Sequence, residues 1–134
     1  MIKVDTSSFV PIYEQIKSEF KREIFQGELK PHDALPSIRD LATELLINPN
    51  TVARAYRELE MEGYIYTRKG KGCYVSDNSA KLMVQERRTI LTRTLDEAIE
   101  EASKFGLSAA EIKKLFDERL NTSQKVTKKG EKNG

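Results

Sequence analysis

Asn48-Pro49-Asn50-Thr51-Val52-Ala53-Arg54-Ala55-Tyr56-Arg57-Glu58-Leu59-Glu60 decides the fold. Asn48 is suited to cap a helix, Pro49 occupies the first helical position where a missing N–H costs nothing, and Gly63 stops the helix. At about 100° per residue, Val52, Ala55, Tyr56 and Leu59 share one side, while Asn50, Ala53, Arg54 and Arg57 lie opposite. One face is built to pack; the other is free to read. A face of Asn, Ala and two Arg reads in isolation as mere solvated surface, so its meaning depends on the neighbouring elements.

Upstream, Ile12, Ile16, Phe20 and Ile24 recur every four residues between Pro11 and Gln26, which predicts an amphipathic helix ended by Gly27. After a loop with Pro31 and Pro36, Ser37 stands three residues before Asp40 in the arrangement of a capping box. A short second helix starts there, with Ile38, Leu41, Ala42 and Leu45 as its apolar set, and closes near Leu46-Ile47. Downstream, Tyr64-Ile65-Tyr66-Thr67 and Gly72-Cys73-Tyr74-Val75 flank Arg68-Lys69-Gly70-Lys71, a β-hairpin with a basic tip. Gly70-Lys71-Gly72 lacks the spacing and the terminal Lys-Ser/Thr of a phosphate loop, and a basic tip alone is often no more than a soluble turn.

Three helices and a hairpin, with a short connection between the second and third helices, make the plan of a winged helix-turn-helix, which lays its third helix in the major groove of DNA. Asn50 and Arg54 then suit adenine and guanine edges, and the wing tip suits phosphates or an adjacent minor groove. The candidate DNA contacts are Ser37, Arg39, Asn48, Asn50, Thr51, Arg54, Arg57, Arg68, Lys69, Gly70 and Lys71.

Beyond Asn78 the positions Val84, Arg88, Leu91, Leu95, Ala98, Ala102 and Phe105 alternate in steps of four and three, a seam that wants a partner helix. Gly106 ends that helix, Ser108 and Glu111 form a second capping box with Leu107 placed to staple on Ile112, and a last helix carries Ile112, Leu115, Phe116 and Leu120. Val84, Leu91, Leu95, Ala98, Ala102, Phe105, Ile112, Leu115 and Phe116 are the candidate homodimer contacts, because one short final helix covers the seam poorly. The fold class is mostly α with a small β-hairpin. A winged helix-turn-helix domain over 1–76 is followed by a two-helix dimerisation element over 77–121 and a disordered basic tail over 122–134.

Composition sets the outer limits. With 38% hydrophobic and 33% charged residues and no apolar run of bilayer length, the chain reads as soluble. Met1 to Asp5 lacks a signal-peptide core and Cys73 is the lone cysteine, so a reducing cytoplasm is the expected location. Cys73 reads as a small packed side chain, and a single His32 excludes a histidine-rich metal site and suits a structural loop role. The net charge of +2 comes from the tail, where 122–134 hold four basic residues and one acidic; residues 1–76 hold eleven of each. Local clustering matters more than that average, and no acid lies between Tyr64 and Ser76. No nucleophile–base pair, metal cluster or cofactor loop is visible, so neither an enzyme nor a bound cofactor is expected. The rival to a DNA-binding regulator is a winged-helix protein-interaction module without specific DNA binding.

Leu35-Pro36-Ser37-Ile38-Arg39-Asp40-Leu41-Ala42, the helix from Asn48 to Glu60, and Gly63 through Gly70-Lys71-Gly72-Cys73-Tyr74-Val75 together resemble the GntR family of bacterial regulators over about residues 9–76. The short two-helix C-terminal part resembles the YtrA-type subfamily, which lacks a large effector-binding domain. The resemblance implies DNA contact by Arg39, by Asn50 and Thr51 at the start of the third helix, and by Lys69 and Gly70 at the wing. It also implies a homodimeric repressor on an inverted-repeat (pseudo-palindromic) operator, in an operon that includes the regulator and a transporter; it names no effector. Pro49 and Ala53 stand where many relatives carry Arg, which shifts readout to Arg54, while His32 and Leu46 each stand where relatives have glycine.

Overall fold

The computed structural model describes residues 2–123, so the expected tail from 124 onward lies outside the described residues. The elements run α1 (Ile12–Phe25), α2 (Ile38–Leu45), α3 (Pro49–Met61), β1 (Ile65–Arg68), β2 (Gly72–Val75), α4 (Ser79–Lys104) and α5 (Ala109–Thr122). The described residues fall into two compact units, divided between Arg88 and Thr89.

In the first unit, Ile16, Phe20 and Ile24 of α1, Leu41 and Ala42 of α2, and Val52, Ala55, Tyr56 and Leu59 of α3 close a single core with Tyr64, Ile65 and Val75 of the wing. The apolar spacing of each helix puts these side chains on one face, and each large one taken from water contributes roughly 1.5–3 kcal/mol. Phe20 and Tyr56 meet edge to face at 5.7 Å between ring centres, and the Tyr56 hydroxyl donates to the Pro36 carbonyl at 2.7 Å, fastening the entry of α2 to α3. Strands β1 and β2 pair antiparallel, with Ile65 opposite Val75 and Arg68 opposite Gly72. The loop before α2 adds a third edge that sequence pattern did not reveal. The His32 and Leu35 amides donate to the carbonyls of Val75 and Cys73, and Ala34 bridges Tyr74.

The core also continues beyond the domain boundary expected after Ser76. Ser79 and Met83 of α4 are buried, and Leu82 packs against the core. Gly63 faces this approach. Its φ of +89° ends α3, and a β-carbon there would stand 3.2 Å from Leu82 Cδ1. In this unit Met83 is inside, whereas Val84, the first position of the four-three seam, is 58% exposed.

The second unit comprises the rest of α4 and helix α5. Ser108 caps α5 reciprocally with Glu111, as the spacing predicts, and the helix continues one residue past the expected limit to Thr122. Leu91, Leu95, Ile99, Phe105, Leu115 and Phe116 remain exposed. Leu95, Ala98, Ile99 and Ala102 of α4 and Ala109, Ile112, Leu115 and Phe116 of α5 line an open groove of about 550 Å³, with Lys113 and Arg119 also lining it.

Two non-glycine residues take left-handed backbone, His32 at φ +70° and Leu46 at φ +58°. Leu46 is the αL cap of α2 and is 89% exposed, so its side chain offers little burial against a backbone cost of roughly 1–2 kcal/mol. Leu46→Gly is therefore expected to stabilise the chain by about 1 kcal/mol after the extra entropy of glycine in the unfolded state. Urea unfolding of the two chains checks this; a lower midpoint for the glycine variant would refute it.

Candidate nucleic-acid interface

The turn between α2 and α3 sets the candidate surface. Ser37 Oγ accepts from the Asp40 amide at 3.0 Å and Asn48 Oδ1 accepts from the Asn50 amide at 2.8 Å, so both expected contact residues are first of all helix caps. Capping leaves the Ser37 hydroxyl proton and the Asn48 amide hydrogens available as donors. Asp40 does not return the Ser37 bond as a full capping box would. Asn50 is exposed and Thr51 half-buried within the first turn of α3. No acid occupies that turn; the acids of α3 are Glu58 and Glu60 in its C-terminal half, followed by Glu62 at its C-cap. The positive end of the helix dipole is therefore left unneutralised by its own side chains.

Cations divide into two classes. Arg39 on α2, Arg57 on α3 and Arg68, Lys69 and Lys71 on the wing are exposed and have no ion-pair partner among the described residues. Lys17 and Lys21 of α1, in contrast, are fixed by carboxylates. Lys17 Nζ lies 2.9 Å from Glu58 and 2.6 Å from Glu62, and Lys21 Nζ lies 2.9 Å from both Glu62 and Glu86. Tyr64 completes this ladder by donating its hydroxyl to Glu86, beneath the Lys21 ammonium 4.8 Å above its ring. Burial works against the Lys17 charge, but Glu62 and Glu58 outweigh it and raise its pKa. Burial pushes Glu62 and Glu86 up, yet hydrogen bonds from Lys17 and Lys21 to Glu62, and from Tyr64 and Lys21 to Glu86, hold both below the ordinary carboxylate range. Lys17, then Arg54, lowers Glu58.

Arg54 belongs to neither class. Its guanidinium carbon stands 3.7 Å above the centre of the Tyr13 ring, and its Nε donates to Glu58 Oε2 at 3.1 Å. The i,i+4 spacing of Arg54 and Glu58 is visible in the sequence; Tyr13, forty-one positions before Arg54, carries no such signal.

The wing is stiffened from one side. Tyr66 and Tyr74 stack at 5.6 Å, the Tyr74 hydroxyl donates to the Lys71 carbonyl at 3.0 Å, and His32 Nδ1 lies 2.8 Å from the Tyr66 hydroxyl while its Nε2 meets Asp77. Gly70 turns the tip at φ +77°. Cys73 is half-buried, with its sulfur 3.5 Å from Thr67 Oγ1. Among the described residues no group of His, Cys, Asp and Glu is placed to hold a metal, and no helix is long and apolar enough to cross a membrane.

Residues 12–75 match the model of the bacterial regulatory proteins of the gntR family. The chain is 42% identical over 133 residues, 99% of either chain, to the HTH-type transcriptional repressor YtrA of Bacillus subtilis. It belongs to the GntR family. A transcriptional regulator from Oenococcus oeni is 35% identical, superposes with a TM-score of 0.72, and covers 87% of this chain and 97% of its own. The DNA-binding domain of AraR in complex with operator ORX1 is 27% identical at a TM-score of 0.50, over 55% of this chain and 90% of that one.

As a GntR-family member the chain is a DNA-binding transcription regulator and not an enzyme, with a winged helix-turn-helix followed by C-terminal helices. The carboxylates that position α3 in this regulator have folded-state pKa values below their ordinary range. The stability they contribute is therefore complete above that range and is lost as pH falls through the lowered values. The melting temperature of the full chain is expected to hold near neutral pH and to drop below about pH 5, with a shallower acid slope for Glu62→Gln. An unchanged slope in that variant would remove Glu62 from the linkage.

Proposed function

We propose that this regulator is a cytoplasmic homodimeric repressor that binds an inverted-repeat operator, with the N-terminal half of α3 in the major groove and the wing on the flanking backbone. The observation that carries this reading is the segregation of charge. Arg39 of α2, Arg57 of α3 and Arg68, Lys69 and Lys71 of the wing have no ion-pair partner among the described residues, beside a helix N-terminus free of acids, whereas Lys17 and Lys21 of α1 are neutralised. Phosphate binding exploits such unpaired charge and such a helix end. The AraR–operator complex supports the same use of the shared domain, and full-length similarity to a repressor supports the direction of control.

Ser37, Arg39, Asn48 and Thr51 position the protein on DNA in this reading, Asn50 and Arg54 read base edges with Arg57 beside them, and Arg68, Lys69, Gly70 and Lys71 approach phosphates or the minor groove. The regulated operon includes the regulator's own gene and a transporter. Asn50→Ala is expected to cost about 1–3 kcal/mol and to relax preference at particular base pairs, whereas Lys69→Ala weakens all duplexes alike and lowers the salt slope by about one. Titration of both variants against a site selected from random duplexes and against random duplex itself, across a salt series, checks this. Equal, sequence-independent losses would defeat the division of labour, and no salt-dependent binding by the parent would defeat the function.

Dimerisation is assigned to the apolar groove and to the exposed seam beside it: Leu91, Leu95, Ala98 and Ala102 of α4 and Phe105 just past its end, with Ile112, Leu115 and Phe116 of α5, and Val84 two seam steps before Leu91. Ile90 and Ile99, also exposed on α4, join this set. Large apolar side chains clustered on a short helical unit are poorly tolerated in water unless a partner covers them. Two half-sites related by the dimer axis should then lie an integral number of turns apart, each about 10–10.5 base pairs. Sedimentation of the parent at micromolar concentration should give a dimer and Leu95→Glu a monomer; a monomeric parent would overturn the assignment.

A further inference from the structure

Tyr13 lies on α1, outside the helix-turn-helix, yet it holds the one arginine of α3 that is neither neutralised in the ion-pair ladder nor fully free. Contacts between the two helices advance in parallel: Tyr13 meets Arg54, Lys17 meets Glu58, and Lys21 meets Glu62. The start of α1 therefore lies beside the N-terminal half of α3. There the Tyr13 ring fixes the plane of the guanidinium, and Glu58 occupies its Nε. The edge carrying Nη1 and Nη2 has no partner among the described residues, and the side chain remains 52% exposed. A guanidinium held on one face and one edge can give only its remaining edge, a planar two-donor fork that matches the O6 and N7 acceptors of guanine.

We propose that Tyr13 is a positioning residue for base readout, stacking on Arg54 so that its free fork is already oriented for a guanine edge before any DNA is bound. The proposal rests on the reading that α3 enters the major groove. Loss of the ring's π-face frees Arg54 to rotate and to reach phosphates or water instead, which lowers discrimination without removing positive charge.

The test uses the full chain and a duplex selected by the parent from a randomised pool, with each base pair then substituted in turn. Affinity ratios between the selected and substituted duplexes are the readout, because a partly unfolded variant lowers both affinities together and leaves the ratio intact. Arg54→Ala should lose about tenfold discrimination at one G·C pair. Tyr13→Leu should lose about two- to fivefold at that same pair, and Tyr13→Phe, which keeps the aromatic face, should match the parent. Tyr13→Leu added to Arg54→Ala should change the ratio no further.

The proposal is overturned if Tyr13→Leu keeps the parental ratio at the pair that Arg54→Ala relaxes, if the two effects add independently, or if both variants weaken every duplex equally as lost phosphate contacts would. A parent that selects no preferred duplex would instead bring down the major-groove reading beneath it, a result distinct from each of these.

Discussion

Burial of the Lys17 ammonium between Glu58 and Glu62 is the constraint from which the candidate DNA-facing surface follows. A lysine 8% exposed is tolerated only with its charge compensated, and both carboxylates come from the far half of α3. Satisfying it aligns α1 and α3 in parallel and in register. The Phe20–Tyr56 contact, with Val52, Ala55 and Leu59 turned inward, sets the rotation of α3 about its axis. Once both are fixed, Asn50, Arg54 and Arg57 have only the outside left to them. Lys21 extends the same constraint to Glu86, so the helix leaving the wing is tied to the pair that orients the recognition helix.

The two left-handed residues show how a fold tolerates departures from its preferred backbone chemistry. At His32 the strained position is compensated in kind. The amide joins Val75, and the imidazole reaches both Tyr66 and Asp77, linking the loop before α2 to the wing and to the segment that follows it. A glycine there would relax the backbone and lose those links. Leu46 makes no comparable use of its side chain, and nothing in the structure explains a leucine at that cap.

Much of the architecture was legible because its signals are local. Asn48, Pro49, Ser37, Ser108 and Gly63 act within one helical turn of themselves, and the four-residue recurrence in α1 needs no knowledge of its partner. What escaped is tertiary. Met83 and Ser79 join the first core, a juxtaposition that no periodicity within α4 encodes. The coiled-coil pattern picks out Val84, Leu91 and Leu95, all exposed on the chain, but gives no sign of Met83, which packs in the core of the first unit. Readings of the candidate site divide the same way. Asn50 and Lys69 are exposed as helix phase and turn chemistry suggest, whereas Arg54, read as a free side chain, is held by a tyrosine from another helix.

The equal numbers of acids and bases in residues 1–76 conceal how charge is arranged. Acids of α3 are drawn to its C-terminal half, where Glu58 and Glu62 neutralise α1 and Glu60 accepts the Thr67 amide at the base of the wing. Each of these carboxylates fixes a neighbouring element, and none lies in the first turn of α3, although Glu58 also accepts from Arg54. The interactions that hold the domain together thus sit apart from the cationic side: the first turn of α3 carries no acid, and Arg68, Lys69 and Lys71 of the hairpin have no ion-pair partner among the described residues. A domain with no net charge can present a cationic face by this means, and substitutions in the ladder should affect both the packing of α3 and the field it projects, a coupling invisible to any count of charges.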